Sequence, residues 1–221
     1  MPVPTVYIVD DDDQVRESLR LLMESVGLPV ETFGSARAYL DHFDPEQRGC
    51  LVLDVRMRGM SGLELQTQLA QFPQYPPIVM ISAHGDIPMA VRALQSGAID
   101  FLEKPFNDQN LLDSVHRAIQ QDAFRHGEAS RIAEIRERIA RLTPREAEVM
   151  RRVVNGQRNK VIASDMSITQ STVEVHRGRV MEKMEAKTLS ELMRMLVTLE
   201  ICGGKDSPAA AGSPSREAGS K

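Results

Sequence analysis

Short apolar runs alternate with helical stripes along the first 120 or so residues. Runs near 6–10, 29–33, 50–54, 78–82 and 99–103 are bounded by Gly, Pro or polar residues and read as buried strands. Between them apolar residues recur at three- and four-residue spacing. The stretches are 14–26 (Val15, Leu19, Leu22, Val26), 35–43, 62–71 (Leu63, Leu65, Leu69) and 87–96 (Met89, Val91, Ala93, Leu94). A fifth follows Asn107, with Leu111, Leu112, Val115 and Ile119. Ser35 and Asn107 suit N-caps, and Gly27 and Gly97 suit helix stops. Five such βα units predict an α/β, doubly wound, five-stranded parallel sheet covered on both faces.

The remainder of the chain reads as helix alone. Residues 121–141 are helical but polar, with a break expected at His126-Gly127. Ile132, Ile135, Ile139 and Leu142 recur at helical spacing, too briefly for a coiled coil, so a helix packed on one of the domains is expected, with a dimer contact as the alternative. Thr143-Pro144-Arg145-Glu146 combines an N-cap, a first-turn Pro and a capping-box Glu, and Gly156 closes that helix. Further helices are expected near 159–165, 170–184 and 188–200, with a turn at Met166-Ser167-Ile168. This predicts a small all-α domain with a modest core. The segment 203–221 is Gly, Ser, Pro, Ala and charged residues, the composition of a disordered tail.

The polar residues that end the strand runs carry the chemistry. Asp10, Asp11, Asp12 and Asp13 follow the first run, Asp54 ends the third, Ser82 ends the fourth, and Lys104 follows the fifth. In a doubly wound sheet the carboxyl ends of the strands converge on one crevice. Any one of these residues alone is a turn former, a cap or solvated surface. Together they place hard oxygen ligands, a hydroxyl and an ammonium in one pocket. That set suits Mg²⁺ and a phosphoryl group, with an Asp carboxylate as acceptor.

Composition adds a compartment and an asymmetry. No apolar run approaches the ~20 residues a membrane helix needs, and the N-terminus lacks a signal-peptide pattern. Two cysteines, Cys50 and Cys202, are too few for a disulfide framework, so a cytoplasmic protein is expected. Residues 1–120 hold 9 Lys and Arg against 17 Asp and Glu, a formal charge of −8, whereas 121–221 hold 18 against 14, a charge of +4. An acidic front and a basic back suggest two domains with different partners, nucleic acid among them for the second. Solvated helix surface is the plainer account of the basic half.

The acidic pocket carries a family resemblance. Val9-Asp10-Asp11, Leu53-Asp54-Val55-Arg56-Met57, Ile81-Ser82-Ala83-His84-Gly85-Asp86 and Asp100-Phe101-Leu102-Glu103-Lys104-Pro105-Phe106 are similar to the receiver domain of two-component response regulators. The resemblance implies that Asp54 accepts a phosphoryl group from a sensor histidine kinase. It implies Mg²⁺ held by Asp10, Asp11, Asp54 and the Arg56 backbone carbonyl. Ser82 and Lys104 would contact the phosphoryl oxygens, Phe101 would be an aromatic switch, and the Lys104–Pro105 bond would be cis. One departure stands out: Arg58 occupies a position where the family usually has Pro, which is expected to free the loop and add a cation.

A helical wheel of 170–184 puts Val173, Arg177, Val180 and Met184 on one side and Glu174, Val175, Gly178 and Glu182 on the other. A mid-helix Gly on an open face costs ~1 kcal/mol against Ala and suggests close backbone approach to something. Val175 is placed to meet a thymine methyl and Glu174 to accept from a cytosine amino group. Lys160, Arg177, Arg179 and Lys183 are candidates for phosphates, with Ser171 and Thr172 at the helix start completing the DNA-facing set. A solvated face with one poor helix former explains the same pattern. Here too there is a resemblance. Leu142-Thr143-Pro144-Arg145-Glu146, Asn159-Lys160-Val161-Ile162-Ala163 and Thr172-Val173-Glu174-Val175-His176-Arg177 are similar to the LuxR/NarL-type helix-turn-helix.

Together the segments resemble FixJ-type transcriptional regulators. The organisation expected is a receiver at 1–121, a helical linker at 122–141, a helix-turn-helix domain at 142–202 and a tail at 203–221. The function expected is a phosphorylation-controlled transcription factor that binds double-stranded promoter DNA. It would dimerise when phosphorylated and have RNA polymerase as a possible further partner. It would not be an enzyme, apart from slow loss of its own phosphoryl group. Two rivals are an Mg²⁺-dependent phosphatase with an Asp nucleophile and a phosphorylation-dependent protein-binding adaptor. The first usually needs a second Asp two residues after the nucleophile, where this chain has Arg56.

Overall fold

The computed structural model describes residues 3–83 and 85–203, with backbone alone for 200–203. His84, the Cys202 side chain and all of the expected tail beyond the Gly203 backbone lie outside the described residues. The chain divides into two compact units at Gly127/Glu128. The segment expected to be a linker is therefore shared between them.

The first unit alternates strand and helix: β1 (Thr5–Val9), α1 (Asp13–Ser25), β2 (Val30–Phe33), α2 (Ala36–His42), β3 (Gly49–Asp54), α3 (Gly62–Leu69), β4 (Ile78–Ser82), α4 (Ile87–Gln95), β5 (Asp100–Glu103) and the start of α5 (Asp108–Ala140). The strands form one parallel sheet in the order β2-β1-β3-β4-β5. Every residue of the central strand β3 is buried. Successive side chains on a strand face opposite sides, and two cores result. Tyr7, Val9, Leu51, Leu53 and Met80 pack under α2, α3 and α4. Val6, Ile8, Cys50, Val52, Val79 and Ile81 pack under α1 and α5. Each fully buried aliphatic side chain contributes ~1.5–3 kcal/mol. Asp122, buried on α5, accepts from Arg48 Nε at 2.9 Å and from the Gly49 N–H at 3.2 Å, which fastens α5 to the start of β3.

α5 runs unbroken through His126 and Gly127, where a break was expected. Mid-helix Gly costs only ~1 kcal/mol against Ala, and the Arg, Glu and Ala residues around it are good helix formers. The second unit takes the end of α5 and adds α6 (Pro144–Val154), α7 (Asn159–Asp165), α8 (Gln170–Lys183) and α9 (Leu189–Gly203). Ile135 from α5 is buried with Met150, Val180, Met184 and Leu192, as its spacing predicts for a packed helix. A second cluster joins Val149, Val153, Ile162, Ala163, Met166 and Val173. Between α7 and α8, Ser167 adopts φ 53°, the left-handed conformation that lets the chain turn sharply. No helix among the described residues is long and apolar enough to cross a membrane.

Glu146 ties α6 to α8. Its carboxylate accepts the Thr143 N–H at 2.8 Å and the Lys183 ammonium at 2.6 Å, and the Thr143 hydroxyl accepts the Glu146 N–H in return. The Lys183 bond first, then the Thr143 N–H, hold this buried carboxyl at about 2, below its ordinary 4.5. A depressed carboxyl stabilises the fold above its unfolded pKa and loses that contribution as pH falls through the folded one. Glu146→Ala is expected to destabilise the helical unit by ~2 kcal/mol at pH 7. The gap between wild type and variant should close as pH is lowered from 4.5 towards 2. Urea melts followed by circular dichroism at pH 7 and pH 3 check both statements.

Candidate functional site

The pocket is built where β1 and β3 end side by side, with the turn after β5 bringing in Lys104. In the sheet register Val9 pairs with Leu53, and Asp54 with Ile81. Asp10, one residue past β1, and Asp54, the last residue of β3, therefore emerge at the same level. Both are buried. Lys104, just after β5, closes the set: its ammonium donates to Asp10 Oδ2 at 2.6 Å and to Asp54 Oδ1 at 2.8 Å. The second oxygens are held as well, Asp10 Oδ1 by the Asp12 N–H at 2.9 Å and Asp54 Oδ2 by the Arg56 N–H at 2.8 Å.

The electrostatics follow from burial. Desolvation pushes the Asp54 carboxyl above its ordinary pKa despite the opposing pull of Lys104. Burial pulls the Lys104 ammonium down, but the Asp10 and Asp54 carboxylates outweigh it and hold the pKa above the usual lysine value. The pocket thus has one poorly solvated carboxylate beside a firmly charged ammonium.

The other pocket candidates fall around this centre. Ser82 is fully buried at the end of β4, and its carbonyl accepts the Lys104 N–H at 2.8 Å. Phe101 is half-buried on β5. A Cβ built on Gly85 would stand 2.7 Å from its ring, so the ring lies directly against the backbone that follows β4. The Lys104–Pro105 bond is cis. Asp12, whose role the sequence left open, is the N-cap of α1 and accepts from the Gln14 and Val15 N–H groups. Asp13 pairs with Arg16, whose guanidinium also donates to the Asp10 carbonyl at 2.6 Å. Gly62 lets α3 start directly beneath Asp54, since a Cβ there would meet the Asp54 carbonyl oxygen at 2.2 Å. Asp11 is partly exposed and accepts the Arg58 N–H at 3.2 Å. The loop that Arg58 was expected to free is instead tied to Asp11. A side-chain pattern does not reveal a backbone donor, although the missing proline was the available signal.

The fit to Mg²⁺ is chemical. Among the described residues no three Asp, Glu, His or Cys side chains are already grouped around one metal position. Magnesium does not require that, because it takes one or two carboxylates and keeps several waters. The candidate donors, Asp10, Asp11, Asp54 and the Arg56 carbonyl, are all hard oxygens. Three carboxylates against the one Lys104 ammonium leave a formal charge of −2, which a dication offsets.

In the helical unit, α8 presents Gln170, Ser171, Glu174, Val175, Gly178, Arg179 and Glu182 to solvent, in line with the wheel. Val175 is 53% exposed, and a Cβ on Gly178 would meet nothing within 4 Å. Thr172 is half-buried and its N–H is capped by the Thr169 hydroxyl at 3.1 Å. Lys160 and Arg179 are exposed as expected. Two other candidates are committed elsewhere. Arg177 donates to Asn159 Oδ1 at 2.7 Å, locking α8 to α7. Lys183 is bound to Glu146 and, at 3.2 Å, to the Arg141 carbonyl. Neither side chain stands free for a phosphate in this structure. Asn159, which the sequence did not single out, also reaches Glu174 Oε1 at 3.5 Å.

Comparison with known proteins gives both units a family. Residues 6–116 match the response regulator receiver domain, and residues 140–196 match the bacterial regulatory proteins of the luxR family. Nodulation protein W of Bradyrhizobium diazoefficiens is 47% identical over 196 residues, 89% of this chain and 86% of its own length. The transcriptional regulatory protein FixJ of Azorhizobium caulinodans is 44% identical over 201 residues, 91% of this chain and 95% of its own. Among solved structures, the response regulator StyR matches with a TM-score of 0.82 at 46% identity, over 89% of this chain and 99% of that one.

Removing one partner of a buried ion pair leaves an uncompensated charge. Lys104→Met is expected to destabilise the first unit by ~3 kcal/mol at pH 7. The loss should shrink as pH falls into the carboxylate range and Asp54 takes up a proton. Thermal melts of wild type and variant at pH 7 and pH 4 measure it, and equal losses at both would dissociate the effect from the carboxylates.

Proposed function

The chain belongs to the two-component response regulators that join a receiver domain to a LuxR-family DNA-binding domain, and from that premise we propose that Asp54 is its phosphoacceptor and that phosphoryl-Asp54 controls promoter occupancy. It is a DNA-binding transcriptional regulator whose partners are a histidine kinase and DNA. The observation that carries the proposal is the Asp54 carboxylate at the end of the central strand, 2.8 Å from the Lys104 ammonium.

An Asp54 oxygen attacks the phosphorus of a phosphohistidine. The P–N bond breaks, and the imidazole leaves with the bonding pair and takes a proton. The Lys104 ammonium, already at the carboxylate, would neutralise a phosphoryl oxygen, and Ser82 would donate its hydroxyl to another. Asp10, Asp11, Asp54 and the Arg56 carbonyl would hold Mg²⁺. When bound, it supplies charge neutralisation for the transferring phosphoryl oxygens. Water later attacks the acyl phosphate and restores the carboxylate. Position 56 offers Arg rather than a second acid, which favours this slow self-hydrolysis over turnover of an outside substrate.

The switch would run through Ser82 and Phe101. Once Ser82 is drawn towards the phosphoryl group, the backbone at Gly85 shifts and the Phe101 ring changes rotamer. Ile87, Val91 and Leu94 form an exposed apolar face on α4. That face supports homodimerisation on phosphorylation. Dimerisation would in turn place two α8 helices in successive major grooves. Occupancy of a promoter brings the dimer within reach of RNA polymerase. The cytoplasm, where such kinases act, is the compartment that fits.

Asp54→Asn is expected to take up no label from a small phosphodonor and to show no phosphodonor-dependent gain in DNA affinity. Uptake equal to wild type would refute the assignment. Lys160→Ala and Arg179→Ala should each weaken binding to all sequences and lower the slope of log K against log salt by about 1 for each phosphate no longer neutralised. Gel-shift titrations from 50 to about 200 mM salt read that slope, and an unchanged slope removes the residue from the set that touches phosphate.

A further inference from the structure

The loop after Asp54 carries an arginine where the family usually has proline, and that arginine reaches the pocket. Proline has no backbone N–H. Arg58 has one, and donates it to Asp11 Oδ2 at 3.2 Å. Its guanidinium Nε stands 3.6 Å from the same oxygen. The Arg58 side chain is 95% exposed, and among the described residues Asp11 is its ion-pair partner. Gly59, at φ 79°, follows directly and turns the chain away. Of the three pocket carboxylates, Asp10 and Asp54 are committed to Lys104, whereas Asp11 is the more exposed one and has Arg58 as its cation.

We propose that Arg58 is a positioning residue that serves as an internal counter-ion for Asp11 and thereby weakens Mg²⁺ binding, setting the magnesium concentration the receiver requires. This rests on Asp11 being a magnesium ligand. The guanidinium and the metal compete for the same carboxylate charge. With Arg58 charged, the pocket's formal −2 becomes −1, and the attraction for a dication falls. The pair is exposed, so its contribution is small: exposed ion pairs are worth up to ~1 kcal/mol, which is a factor of about five or less in Kd. Being exposed, it is also screened by salt.

The test is calorimetric titration of Mg²⁺ into the unphosphorylated full chain, for wild type, Arg58→Ala, Arg58→Lys, Arg58→Pro and Asp11→Asn. Arg58→Ala keeps the backbone donor and removes the charge, and should tighten Mg²⁺ binding about two- to fivefold. Arg58→Pro removes both donors and should tighten it at least as much. Arg58→Lys keeps the charge and should stay within about twofold of wild type. The Ala-to-wild-type difference should narrow in 0.5 M salt, where the screening length is only a few ångströms. Equal or weaker binding by Arg58→Ala overturns the proposal, whatever Arg58→Pro shows. Asp11→Asn separates the two layers. If it binds Mg²⁺ as tightly as wild type, the ligand assignment itself is wrong. If it loses binding while Arg58→Ala is unchanged, only the role of Arg58 falls.

Discussion

The first unit depends on one ammonium shared by two buried carboxylates. Asp10 and Asp54 would repel each other in a poorly solvated crevice, and Lys104 makes their coexistence tolerable by donating to both at 2.6 and 2.8 Å. The sheet imposes this arrangement. Parallel pairing brings β1 and β3 to a common end, and the turn after β5 delivers the lysine across from them. Burial raises the Asp54 pKa even with that cation present. The carboxylate is thus held less solvated than one on the surface, as suits the acceptor role proposed for it. A buried ion pair of this kind is weak evidence for stability. Its geometry makes sense as a site.

Much of this was legible in the sequence because it lives in period and position. The two-core alternation of β1, β3 and β4 follows from side chains that alternate along each strand, and the polar residues that ended the runs at 10, 54, 82 and 104 fell where the strands end. Thr143 and Glu146 announced their capping box by spacing alone. What the sequence concealed has a common cause. The Arg58 contact with Asp11 uses a backbone N–H, and the Asn159–Arg177 bond spans 18 positions. Neither leaves a trace in periodicity. The expected break at Gly127 failed for the opposite reason: one poor helix former was weighed locally, whereas the helix is carried by the many good ones on either side.

The helical unit shows how cations divide between architecture and recognition. A positive side chain on a recognition helix is easily assigned to phosphate. Here two of the four candidates hold helices together: Arg177 joins α8 to α7 through Asn159, and Lys183 joins α8 to α6 through Glu146. Those bonds fix the angle at which α8 is offered. The face they leave open carries Glu174, Val175, Gly178 and Arg179. Gly178 brings backbone to the surface in the middle of that face, which permits a closer approach to a groove than any side chain would. The same arginine–asparagine bond places Asn159 within 3.5 Å of Glu174, so the acidic group on the open face is held from behind rather than left to wander.

The energy scale limits how such a receiver can act. Phosphorylation replaces one carboxylate by a group carrying ~−1.5 to −2 charges and additional acceptor oxygens. On the proposed mechanism Lys104 would follow the new charge by loosening its bond to the Asp54 carboxylate, and it is also bonded to Asp10. The proposed switch would therefore be an exchange of partners around an added charge, and only the difference between the two arrangements is available to shift a population. A change from 1:99 to 99:1 needs ~5.5 kcal/mol of such difference. The pocket holds few interactions of that size, and each charge-assisted bond is worth ~1.5–3 kcal/mol. About two to four must change together for a near-complete switch. That requirement explains why the acceptor is surrounded by groups already paired: an unpaired pocket would bind a phosphoryl group more tightly but would have no second arrangement to leave.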